Sequence, residues 1–217
     1  MGLLAIRNPA FRQNMTAFMD DITSKMMQLS LATKERWEGQ VAQMKRQGVH
    51  IPDLPYEDMK SFVDKKRYKL QLKTDFHIHN EFVGLEAIIP HLSNRVWLLV
   101  AASSQSGPFI TSDHPVSLRW KHPEDIPPFY RDHPGFGLSD TQVIFPLSKS
   151  LALIGEFEDV EWHDDIIATP AVPELVASIN TLMIGTSRGQ IYAPSFNFKF
   201  DGRDGIASGS MLLSYLK

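Results

Sequence analysis

The spacing of apolar residues changes near residue 95, and the change limits the folds open to the chain. Before it, apolar side chains recur at intervals of three and four, the period of one helix face. After it, they gather in short β-branched and aromatic runs separated by turn residues. A chain of 217 residues that carries both textures in this order reads as an α+β protein. The expected architecture is N-terminal helices packed on an antiparallel β-sheet, with a C-terminal helix. The expected division is a helical part over 1–66 and an α+β part over 67–217, together one compact domain.

In the first part, Asn8-Pro9 offers a cap and a first-turn proline, and Phe11, Met15, Phe18, Ile22 and Met26 follow on one helical stripe. A second helix follows Thr33 with Trp37, Val41 and Met44 on one face and Gly48 placed to end it. A short helix runs from Pro55 to about Asp64, and Thr74 caps another with Ile78, Phe82, Leu85, Ile89 and Leu92. Six of the nine methionines lie in residues 1–44, and methionine-rich faces are adaptable packing surfaces. Burying the five stripe residues is worth roughly 1.5–3 kcal/mol each, together as much as a typical domain's net stability. The stripe is therefore expected to face another apolar surface, in this chain or in a second copy, with a homodimer favoured.

In the second part, Val96–Ala102, Phe109–Thr111, Val116–Trp120, Gln142–Leu147 and Leu151–Phe157 read as strands. Their connections are too short for helical crossovers, so the sheet is expected to be antiparallel. Val96–Ala102, Phe109–Thr111, Gln142–Leu147 and Leu151–Phe157 are expected in one sheet, with a Pro173–Thr186 helix upon it. Ile191-Tyr192-Ala193 reads as a further strand and Met211–Leu216 as a last one, while 122–140 reads as a long Pro/Gly-rich insertion.

Composition removes several classes of chemistry. There is no cysteine, which excludes disulfides, thiolate metal sites, Fe–S clusters and cysteine nucleophiles. The longest apolar run, 96–102, is far short of the ~20 residues of a membrane helix. The start, Met1-Gly2-Leu3-Leu4-Ala5-Ile6-Arg7, carries neither an export leader nor a myristoylation signal. The cytoplasm is the expected setting, with no membrane partner. Residues 1–73 hold 13 Lys/Arg against 8 Asp/Glu, and residues 74–217 hold 9 against 17, so the two parts differ in role or attract each other.

Histidine supplies the first candidates for chemistry. Three of eight precede proline, at His114, His122 and His133, and proline holds the residue before it extended. Imidazole with carboxylate suits zinc, iron or manganese, but no recognised ligand spacing is present, so neither metal nor cofactor is expected. His77-Ile78-His79 would pair on a strand; on the helix expected here the two rings diverge by about 200°. The acidic cluster Glu156, Glu158, Asp159, Glu161, Asp164 and Asp165 lacks the pattern of a calcium loop and reads as a solvated connection. Lys65, Lys66, Arg67 and Lys69, interleaved with Tyr68, could touch phosphates, with a solvated helix end as the alternative. No nucleophile elbow, Walker loop or dinucleotide fingerprint occurs.

A set of segments in fixed order goes beyond such patterns: Trp97-Leu98-Leu99, Phe109-Ile110-Thr111-Ser112-Asp113-His114-Pro115-Val116, Phe145-Pro146-Leu147-Ser148, then Asn180 and Arg188 before Ile191-Tyr192-Ala193. In this order the chain resembles the domain of unknown function 4238 family, and Arg7-Asn8-Pro9-Ala10-Phe11-Arg12 is similar to that family's middle segment. The resemblance implies no reaction. It does imply that the N-terminal segment of longer members is missing here, which would leave the methionine-rich face uncovered. It also directs attention to Ser112, Asp113, His114 and Arg188 as candidate catalytic residues, and to Asn180 as a candidate binding residue. The bland alternative is a rigid turn between two strands; the functional one makes Asp113 a base or metal ligand, His114 a proton carrier and Arg188 an anion contact.

Three functions follow as expectations. The first is an interaction or regulatory module that self-associates through the methionine-rich helix or holds a protein partner. The second is a hydrolase-type enzyme using Asp113 and His114, with nucleic acid among its substrates. The third is a weak, sequence-tolerant nucleic-acid binder acting through Lys65–Lys69.

Overall fold

The computed structural model describes residues 1–132, 134–157 and 168–215. Helices α1 (Gly2–Ile6), α2 (Pro9–Ser30), α3 (Lys34–Arg46), α4 (Tyr56–Asp64) and α5 (Thr74–Ser93) come first. They are followed by β1 (Val96–Ala101), β2 (Thr111–Ser112), β3 (Ser117–Trp120), α6 (Pro128–Arg131), β4 (Thr141–Pro146), β5 (Leu151–Glu156) and β6 (Thr169–Pro170). The chain continues with α7 (Pro173–Thr186), β7 (Ile191–Tyr192), β8 (Lys199–Gly202), β9 (Gly205–Ser208) and α8 (Leu212–Tyr215). The architecture is α+β with a mostly antiparallel sheet, as the periodicity predicts. Among the described residues no helix is long and apolar enough to cross a membrane.

Two compact units make up the chain, Met1–Phe11 with Ile78–Lys217, and Arg12–His77; the sequence reading drew its line at 66/67. The smaller unit is helical. Thr33 caps α3 by accepting from the Arg36 N–H at 3.2 Å, and Gly48 follows with a left-handed φ of 80°. The Tyr56 hydroxyl donates to the Leu31 carbonyl at 2.8 Å. Val63 of α4 is buried.

The larger unit is built on a five-stranded sheet of order β3-β4-β5-β1-β6, antiparallel except for the β1–β6 pair. Successive residues of a strand face opposite sides, so neighbours Val143 and Ile144 of β4 join different cores. Ile144 packs with Val100, Ile154, Phe109 and the buried face of α7, namely Val176, Ile179 and Met183. Val143 packs with Ala5 and Ile6 of α1, Ile88 and Leu92 of α5, and Val116. Asn8 closes the entry to α2, its Oδ1 accepting from the Phe11 N–H at 2.9 Å while its Nδ2 donates to the Ala5 carbonyl at 2.8 Å.

Several expectations are corrected. Phe109–Thr111 does not join the main sheet. Phe109 and Ile110 are buried, the Ile110 N–H is taken by the Asn180 side chain, and only Thr111–Ser112 pairs, with β7, as a separate two-stranded ribbon. Met211–Leu216 is not a strand: over its described residues a 3₁₀ turn through Met211 leads into α8. That turn starts at Gly209, where a Cβ would come within 2.4 Å of the Phe198 ring. The 122–140 insertion holds a 3₁₀ turn at Pro123–Asp125 and the short α6.

Candidate functional site

The element 112–117 leaves β2 and folds against the turn that links α7 to β7. Ser112 is buried, and its hydroxyl accepts from the His114 N–H at 3.1 Å, which is a local side-chain turn. The Asp113 N–H donates to the Gln190 carbonyl at 3.1 Å. Its carboxylate Oδ1 accepts from the Arg188 N–H at 2.9 Å. Behind this pair the Ser117 and Thr186 hydroxyls lie 2.9 Å apart. The proline at 115 holds His114 extended, and the 112–117 element is clamped at three points, to Arg188 and Gln190 in the turn after α7 and to Thr186 at its end.

Burial pushes the His114 imidazole below the ordinary histidine range; a hydrogen bond with the Thr186 backbone opposes it, Arg188 adds to the lowering, and Asp113 opposes it. A neutral imidazole can accept or pass a proton at neutral pH. The neighbouring groups are tied to the backbone: one Asp113 oxygen holds the Arg188 amide, and the Ser112 hydroxyl is turned inward. The structure thus brings Ser112, Asp113, His114 and the backbone of Arg188 together.

Asn180 lies elsewhere. It is fully buried in α7, where its Oδ1 accepts from the Ile110 N–H at 2.9 Å and its Nδ2 donates to the carbonyls of Pro108 at 3.0 Å and Lys199 at 2.8 Å. Three backbone groups from two distant segments take up its whole amide. Lys65, Lys66, Arg67 and Lys69 are all exposed in the stretch after α4, Lys66 with a positive φ of 47°. Between them Tyr68 is half-buried, its hydroxyl bonded to Ser24 at 3.1 Å and its ring 6.0 Å from that of Phe62, so the aromatic packs inward rather than offering a stacking face.

The α2 stripe divides. Phe11 packs against the core that holds Ala5 and Ile6. Met15 and Ile22 are half-buried, whereas Phe18 is 58% and Met26 63% exposed, with Leu29 at 58%. His77 and His79 lie on α5, as the helical reading expects. His122 Nδ1 stands 3.5 Å from Glu124 Oε1, and these two with Asp125 are exposed and hold one ligand atom each within 4.8 Å of the others. His133 and the acidic residues Glu158, Asp159, Glu161, Asp164 and Asp165 lie outside the described residues.

Two charged assemblies escaped the sequence reading. Arg95, fully buried, donates to the carbonyls of Thr141, Gly155 and Phe136 and to the Thr141 hydroxyl, and its guanidinium lies 4.1 Å from the Phe157 ring centre. Burial lowers its pKa to about 10 against the pull of Glu156. On the sheet, Lys121 pairs with Glu156 at 2.6 Å, Gln142 donates to Glu156, and Arg119 donates to Gln142 Oε1 at 2.6 Å and to the Ser178 hydroxyl at 2.8 Å. The one signal for this network was the period-two placing of Arg119 and Lys121; for Arg95 it was a lone cation immediately before the most apolar run.

Comparison with curated proteins and with solved structures found no match. A family profile covers residues 1–195, a span that contains β1, the clamped 112–117 element, α7 and β7. The chain belongs to the uncharacterised family described as Protein of unknown function (DUF4238).

Proposed function

We propose that this protein is a cytoplasmic interaction module that forms a homodimer through α2. One observation carries the reading: among the apolar residues that α2 leaves partly or largely in water, Met15, Phe18, Ile22, Met26 and Leu29 form one stripe, with Phe11, Met19 and Met27 also half-buried, and the stripe's intervals of three, four, four and three read the same in both directions. A two-fold interface presents one patch to itself, so such a stripe pairs with its own copy in antiparallel sense. Ile22 then meets Ile22, Phe18 meets Met26, and Met15 meets Leu29. In this register Asp21 faces Thr23, Asp20 faces Ser24 and Lys25 faces Met19, so no like charges oppose each other. Lys25 is already held by Asp21 at 2.6 Å.

The chain's lack of cysteine makes a clean test. Light scattering across micromolar concentrations should show a dimer, and Phe18→Asp should give a folded monomer. Oxidised Ile22→Cys should cross-link to itself, while Leu29→Cys should do so only when mixed with Met15→Cys. A monomer at every concentration, or self-linking by Leu29→Cys as efficient as that by Ile22→Cys, would overturn the reading. A hydrolase built on Asp113 and His114 stands second, supported by the lowered proton affinity of His114; the backbone bonds that occupy Asp113 and Ser112 weigh against it.

A further inference from the structure

Three segments far apart in the chain meet within the larger unit. The stretch Phe109–Thr111, the end of β4 with the turn after it (Pro146–Lys149), and Tyr192–Pro194 line one cleft of about 270 Å³. Its floor is apolar and buried, at Phe109, Ile110 and Pro146, and its walls include Leu147 and Tyr192, each about half exposed. Each of the three overlaps one of the segments that carry the family resemblance.

A second, more polar hollow of about 460 Å³ adjoins it, and the two share Lys149 and Pro194 in their walls. The hollow is lined by Ser103, Ser104, Ser150 and Ser195 and by Lys199. Its rim is built locally. The Gly107 N–H closes on the Ser103 carbonyl at 3.0 Å, and Gly107 takes a φ of 82° that a side chain would resist. Lys199 Nζ donates to the Gln105 carbonyl, which fixes that ammonium at the edge.

Charge sets the ligand class. The 74–217 region holds 17 Asp/Glu against 9 Lys/Arg, yet neither lining contains a carboxylate. Among the described residues neither Lys149 nor Lys199 has an ion-pair partner. Two unneutralised lysines among serines offer point charges, which suit a compact tetrahedral anion; planar carboxylates are more often gripped by arginine forks. The adjoining cleft is at the small end of ligand sites and takes one ring or a short chain.

We infer that this joined cleft binds a small organic phosphate, its phosphoryl group between Lys149 and Lys199 and its apolar body between Leu147 and Tyr192 over the Ile110 floor. The inference is independent of dimerisation through α2. Phenyl phosphate is the probe, followed by calorimetry and by thermal shift on the full chain. Millimolar phenyl phosphate should bind saturably, inorganic phosphate about ten-fold more weakly, and phenol and benzoate not at all. Lys149→Ala and Lys199→Ala should each weaken phenyl phosphate at least about five-fold, and Leu147→Ser should weaken it while leaving inorganic phosphate unchanged. Circular dichroism confirms folding, which the exposure of Lys149 and Leu147 leads us to expect. No binding of phenyl phosphate, equal binding of benzoate, equal binding of inorganic phosphate, or lysine variants that bind as the parent does would each overturn it.

Discussion

Asn180 within α7 and His114 beside that helix's last residue, Thr186, show how differently two polar residues can be employed. The amide of Asn180 satisfies one donor and two acceptors of the main chain, so Asn180→Ala leaves three buried groups without partners. At about 1–3 kcal/mol for each such group, partly relieved by relaxation, urea denaturation should show a loss of about 3 kcal/mol. Asn180→Asp should do no better, because a carboxylate cannot donate to Pro108 or Lys199. His114 has its proton affinity lowered by burial first, so between its folded midpoint and about 6.5 the native state holds fewer protons than the unfolded chain. Stability then rises with pH through that window; below the folded midpoint both states are charged and the cost is constant, and above 6.5 it is gone. An NMR titration should place the His114 midpoint below 6.5, higher in Arg188→Gln and lower in Asp113→Asn. The sequence led us to expect Asp113 to bond locally before His-Pro, but the local bond belongs to Ser112 and the Asp113 carboxylate accepts from the Arg188 N–H, 75 residues on. Nothing in it marked Asn180 as a staple, because its partners are backbone groups about seventy residues upstream and nineteen downstream.

Elements were legible wherever a segment's own periodicity decided its state. The helix Pro173–Thr186 has the bounds its apolar spacing predicts, and β1, β4 and β5 fall within one or two residues of their runs. The failures lie where a tertiary partner outvoted the local pattern. Phe109–Ile110 has strand composition but gives its amide to a helix side chain, and Met211 onward turns into a helix because Gly209 must sit on Phe198. Register shows the same dependence. Trp97 of β1 stands opposite Gly155 of β5, and a Cβ at 155 would come within 2.6 Å of the indole. Gly155→Ala should therefore destabilise the β1–β5 pair by about 1–3 kcal/mol, the usual cost of overpacking. Because Gly155 also gives its carbonyl to Arg95, hydrogen exchange should quicken along both strands and at the 136–141 turn, whereas amides of α3 should be unchanged.

At the scale of the whole molecule, positive charge is concentrated in the first 73 residues, with its densest run exposed after α4. Four cations without an available aromatic face support only diffuse contact with nucleic acid. Fluorescence anisotropy with a single-stranded oligonucleotide should give a salt slope no steeper than about −3, since each neutralised phosphate contributes about −0.7; tight binding unchanged by salt would contradict this. The expected division falls at 66/67, while the compact units part within α2 and α5, where helix-forming periodicity runs unbroken and says nothing of where contacts stop. The Asn180 staple also orders events in time. A nascent chain can complete β1, β3, β4 and β5 as soon as Glu156 is free, yet α7 cannot be locked against Pro108 and Ile110 with its full set of bonds until Lys199 arrives, and Phe198 and Phe200 fill the same core. Synthesis must therefore carry an open apolar sheet face for some forty residues before the last hairpin closes it. A chain stopped at Asn197 should come off the ribosome aggregation-prone, and one extended through the β8–β9 hairpin should be the shortest that yields a soluble fold.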